Sequence, residues 1–126
     1  MRLIILSFLI LLLFSCTKTE VKNSKPPSTK QEAMDIYKDA LSSMEEGQYL
    51  IASDKFDQSE SLLPQTEWAA KSALMSSYCL YTISFYDEAI LNLKRFKKLY
   101  PADPNIDYAS YLIAVIYYEQ ILDEKK

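Results

Sequence analysis

The chain has 126 residues, with 14 Lys and Arg against 17 Asp and Glu, giving a formal net charge of −3. This is enough for one small domain, and the mild acidity argues against nucleic acid as a partner, where a basic face is expected. There is no histidine and one glycine, Gly47, so the chain offers neither a Cys/His zinc cluster nor a glycine-rich phosphate cradle.

The amino terminus reads MRLIILSFLILLLFSC. Arg2 supplies a positive start, and the apolar run Leu3 to Phe14 falls short of the ~20 residues a membrane-spanning helix needs. It has the length of a secretory signal, with the small Ser15 where a peptidase would cut. Residues 1–15 are predicted to be the signal peptide. The tetrapeptide Leu13-Phe14-Ser15-Cys16 resembles the lipobox of bacterial lipoproteins. That resemblance implies diacylglycerol on the Cys16 thiol and an acyl (palmitate-type) chain on the new amino group. Two or more chains hold a protein stably on a bilayer. A plain secretory signal or a short anchor is the alternative. Thr17, in place of an Asp, leans towards the outer membrane. No cofactor is expected beyond this covalent lipid. With Cys16 modified, Cys79 has no disulfide partner, and its apolar helical setting predicts a buried, inert thiol.

Residues 16–31 form the lipidated cysteine and a polar linker containing Pro26-Pro27. Its residues 17–31 span about 50 Å fully extended and nearer about 20 Å as a coil. Lys18, Lys22, Lys25 and Lys30 outweigh Glu20, so the segment is read as a solvated tether, with attraction to anionic headgroups as the alternative.

After the linker the chain repeats itself. Gly47-Gln48-Tyr49 with Ala52 returns 37 residues later as Ser84-Phe85-Tyr86 with Ala89, Pro64 returns as Pro101, and Ala40, Ser77 and Ala114 keep the same register. Each unit reads as two helices. Thr29 and Glu32 are predicted to cap the first, whose apolar residues are Met34, Tyr37, Leu41 and Met44, and Gly47 to end it. A second helix runs to about Leu63. Trp68 to about Ile83 and Tyr86 to Leu99 form the next pair. Asp103 is predicted to cap a third start, with Pro104 at its first position, before an apolar helix from Ile106 to Leu122. The fold class is therefore all-α, a helical-repeat solenoid with units at 32–64, 66–101 and an incomplete 104–123. The unit resembles the tetratricopeptide repeat through Gly47, Tyr49, Ala52, Phe56, Pro64, Tyr86, Ala89 and Pro101. Ile36 and Ala73 replace its usual Trp, and the period exceeds 34. An ordinary three-helix bundle is the alternative. An apolar final helix must bury a face, so the chain is expected to be the amino-terminal part of a longer protein. The other possibility is that this helix is itself the cap.

Glu45-Glu46 and Asp87-Glu88 are adjacent acids on helix ends, with no apolar pocket to separate their pKa values. The chain is therefore not expected to be an enzyme. In tetratricopeptide-like stacks the first helix of each unit lines a concave groove. That register places Met34, Tyr37, Leu41 and Met44 there, then Lys71, Leu74, Tyr78 and Tyr81, then Tyr108, Tyr111 and Tyr118. A groove rich in Tyr and Met suits extended peptides with apolar or aromatic side chains, and about half of these residues are expected in core contacts instead.

The segment Arg95-Phe96 through Tyr100-Pro101 to Pro104-Asn105-Ile106-Asp107-Tyr108, with Tyr86-Asp87-Glu88-Ala89-Ile90 before it, resembles the BamD family. Its members are lipoprotein subunits of the outer-membrane β-barrel assembly machinery. The resemblance implies five tetratricopeptide-like repeats tethered at the periplasmic face of the outer membrane, of which this chain carries the first half. It implies a non-enzymatic role, in which unfolded outer-membrane protein precursors bind the amino-terminal repeats. It also implies a BamA-like barrel subunit and sibling lipoproteins as partners. Arg95 matches a basic residue of the family's substrate surface, whereas the family's aromatic-Pro pair is Leu63-Pro64 here. A different periplasmic repeat lipoprotein, serving as a scaffold for peptidoglycan or secretion machinery, is the alternative.

Overall fold

A computed structural model describes residues 28–123. Among them are five helices: α1 (Thr29–Glu45), α2 (Tyr49–Leu62), α3 (Glu67–Thr82), α4 (Tyr86–Leu99) and α5 (Ile106–Asp123). Each packs against the next. The architecture is all-α and tetratricopeptide-like, as the repeat predicts. The register is visible in the coordinates, since α2 and α4 begin and end 37 residues apart. None of the described helices is long and apolar enough to cross a membrane. The expected signal peptide, Cys16 as the expected lipidation site and most of the linker lie outside the described residues.

The turn inside each unit shows how the repeat is encoded. Gly47 takes φ +76°. Its N–H donates to the Met44 carbonyl at 3.0 Å, and the Gln48 N–H donates to the Ser43 carbonyl at 2.8 Å. Two orphan carbonyls of α1 are thereby satisfied in a Schellman arrangement. Ser84 does the same for α3, bonding Tyr81 at 2.9 Å while Phe85 bonds Leu80 at 2.9 Å, at φ +62°. It adopts a left-handed backbone without glycine's freedom.

Two caps differ from expectation. Ser28, not Thr29, caps α1, its side chain accepting from the Gln31 N–H at 3.2 Å; Thr29 is the first helical residue. Before α5, the Asp103 carboxylate accepts from the Asn105 N–H at 2.8 Å and from its side-chain amide at 2.9 Å. An Asx turn results, and Pro104 sits inside it rather than at the first position of the helix. The first intrahelical bond runs from the Ala109 N–H to the Asn105 carbonyl at 2.9 Å.

The interior holds two apolar clusters. Tyr37, Ala40, Ala52, Phe56 and Cys79 fill the first. Ala73, Leu80, Ile90, Leu93, Phe96, Leu112 and Ile116 lead the second. Phe56 and Phe96 are fully buried, each contributing about 2–3 kcal/mol by area. Cys79 is free and buried, and burial pushes its thiol up to about 11. Ala40 and Ser77 are fully buried where helices approach closely. Ala114, at the same register, is exposed, because among the described residues no helix packs over that face of α5.

Candidate peptide-binding surface

Helix α3 presents Trp68, Lys71, Tyr78 and Tyr81 at spacings of three and seven residues, which places them on one face. At its start the Tyr37 and Trp68 rings meet edge-on, 5.8 Å between centroids. The Lys71 ammonium lies 5.6 Å from the Tyr37 centroid and 5.7 Å from that of Trp68. These distances suit a cation–π contact with both rings. Further along, Tyr78 and Tyr81 lie 6.3 Å apart, and Tyr81 lies 6.3 Å from Tyr86. Glu119 of α5 accepts from the Tyr81 hydroxyl at 2.9 Å and from the Tyr86 hydroxyl at 3.0 Å. That bond, then partial burial, raises the Tyr81 phenol to about 12. Partial burial raises the Tyr108 phenol above its ordinary value.

The face is unevenly open. Tyr111 is 64% exposed, Tyr118 63% and Tyr108 41%, so the solvent-accessible tyrosines are on α5. Tyr78 and Tyr81 are half-buried and pack against the second cluster. Met34, Leu41 and Met44 are half-buried on α1. Two expected groove residues are core. Tyr37 is 6% exposed and packs edge-on against Phe56 at 5.2 Å, and Leu74 is 9% exposed within the second cluster. Tyr37 of α1 is turned inward against Phe56 of α2, and Leu74 of α3 into the cluster it shares with α4 and α5.

Arg95 does not join the tyrosines. It projects from α4 towards α2, where its guanidinium donates to both oxygens of Glu60 at 2.7 Å each. The Tyr100 hydroxyl donates to the same carboxylate at 2.9 Å. Burial, then this bond, raises the Tyr100 phenol to about 12. The Glu60 bond likewise holds Arg95 above its ordinary value. Beside them is a cavity of about 390 Å³ lined by Asp57, Glu60, Pro64, Arg95, Leu99 and Tyr100, among others. Sequence reasoning missed Glu60, Tyr86 and Glu119. Their partners are 33 to 40 residues away, and no local pattern marks such pairs.

The sequence matches the protein family described as "YfiO: Outer membrane lipoprotein" over residues 29–126. It is similar to the outer membrane protein assembly factor BamD of Caulobacter vibrioides, 39% identical over 88 residues, which cover 70% of this chain and 29% of the relative. The corresponding factor of Rickettsia prowazekii is 32% identical over 88 residues, covering 70% of this chain and 35% of that protein. That of Neisseria gonorrhoeae is 29% identical over 85 residues, covering 68% and 32%. The chain thus spans about a third of the length of the curated relatives it matches. With the all-α repeat already in place, these matches show that the chain belongs to the YfiO family of outer membrane lipoproteins.

Proposed function

We propose that this chain is the receptor end of a β-barrel assembly lipoprotein, holding unfolded barrel precursors on the tyrosine face of α3 and α5. The observation that carries the reading is the row of Tyr78, Tyr81 and Tyr86, joined through Glu119 to α5, on which Tyr108, Tyr111 and Tyr118 are exposed. Strands of a barrel precursor alternate apolar and polar residues. Tyrosines offer such a strand wide contact area with polar tips at low entropic cost. The role is binding, not catalysis. Lipid on Cys16 would keep the surface at the periplasmic face of the outer membrane, and the linker would give it reach. A BamA-like barrel subunit and sibling lipoproteins are the proposed partners. The test is a pull-down of the lipidated protein from solubilised outer membranes. Co-purification of a BamA-like barrel subunit is expected, and envelope scaffold proteins without any barrel subunit would overturn the reading.

A further inference from the structure

The cleft of about 390 Å³ between the ends of α2 and α4 shares no lining residue with the tyrosine face. Three charged side chains line it, Asp57, Glu60 and Arg95. Arg95 donates to both oxygens of Glu60 at 2.7 Å, and the Tyr100 hydroxyl donates to the same carboxylate at 2.9 Å. Glu60 is therefore engaged on both oxygens. Asp57, one turn earlier on α2, is not. Its Oδ1 is buried with no hydrogen-bond partner among the described residues. Two carboxylates against one guanidinium leave the cleft one negative charge in excess. A buried carboxylate oxygen without a donor is costly, and it calls for a bound group that supplies one.

The walls select what can reach that oxygen. Pro64, Leu99 and Tyr100 line the cleft beside it. Such walls suit a long aliphatic stem with a charge at its tip. One open acceptor suits the compact ammonium of a lysine better than the flat fork of an arginine. A second cleft, of about 350 Å³, continues from the first, and Gln65, Leu99 and Tyr100 line both. Ala70, Pro101, Ala102 and Pro104 give it apolar surface, while Glu67 and Asp103 add further negative charge. Gln65 in the shared wall takes φ +66°, a left-handed strain of the kind that clusters where ligands are held. Two clefts in series fit neighbouring side chains of one extended segment. A small amine would fill only the first.

We propose that this double cleft is a docking site for an extended lysine–apolar segment of a partner protein, with the lysine ammonium donating to Asp57 Oδ1. The apolar neighbour of that lysine lies along Leu99 and Pro101. The site is separate from precursor binding on α3 and α5, and it is opposite in charge to what Arg95 alone would attract.

The experiment titrates the full chain with the peptide acetyl-Ala-Lys-Leu-Ala-amide by calorimetry at low salt. Norleucine in place of the lysine keeps the stem and loses the charge. It should weaken binding by about tenfold or more, the effect of losing a hydrogen bond between charged groups. Asp57→Asn should weaken the lysine peptide by a similar factor and leave the norleucine peptide unchanged, which isolates the pair. Butylamine, the bare side chain, should bind more weakly than the peptide. No binding at millimolar peptide, equal binding of the norleucine peptide, or affinity unchanged by Asp57→Asn overturns the lysine site. Butylamine binding as tightly as the peptide overturns a protein segment as the occupant.

Discussion

Asp57 shows how a single residue sets a cost that its neighbours only partly offset. Burial raises its pKa, the Ser76 hydroxyl and Arg95 pull it down, and the Glu60 and Asp54 charges push it up again. The folded state therefore holds this proton more tightly than the unfolded chain does. Stability from protonation is complete below the unfolded carboxylate range, around pH 4, and is lost as pH rises through the higher folded value. At neutral pH the charge is a burden. Asp57→Asn should stabilise the domain at pH 7, by less than about 1 kcal/mol because solvent screens the open side of the group. The gain should shrink as the pH approaches 4. Urea unfolding at both pH values checks it; a loss of stability at pH 7 would contradict the assignment. Asp57 has no distinguishing mark in the sequence, because its burial depends on α3 and α4 arriving from elsewhere.

At the scale of the helix, the two turns that close the units use one geometry with two residue types. Gly47 and Ser84 occupy the same left-handed position, but serine lacks glycine's symmetry there. Ser84→Gly should raise stability by about 1 kcal/mol, net of the extra freedom it gives the unfolded chain. Gly47→Ala should cost about 1 kcal/mol, although a Cβ at Gly47 would meet nothing within 4 Å. Thermal melts decide it, and no shift with Ser84→Gly would mean the turn is unstrained. These helices were largely legible in advance because the 37-residue repeat fixes several boundaries at once. The caps of α1 and α5 were not, because Ser28 and Thr29 are chemically equivalent candidates, and the Asx turn at Asp103 competes locally with an N-cap.

At the scale of the molecule, a surface rather than a pocket carries the proposed function. Chemistry alone pointed to a tyrosine-rich groove; the Tyr78 and Tyr81 rings do lie together, and Tyr108, Tyr111 and Tyr118 are exposed on α5. What was not legible is which face of each helix turns inward. Tyr37 and Leu74 follow the groove spacing but are buried, Tyr37 against Phe56 of α2 and Leu74 in the cluster that α3 shares with α4 and α5. Arg95 stands apart from these tyrosines because Glu60, 35 residues earlier, claims its guanidinium.

The central claim is that the open tyrosines of α5 hold barrel precursors. Its most direct test is the affinity of a labelled peptide with alternating aromatic residues, taken from a barrel strand, for the wild-type chain and for Tyr108→Ala/Tyr111→Ala. Both side chains are exposed, so the melting temperature should hold. Affinity should fall by about tenfold or more, as for loss of aromatic anchors at an interface. Unchanged affinity with an intact fold would contradict the account.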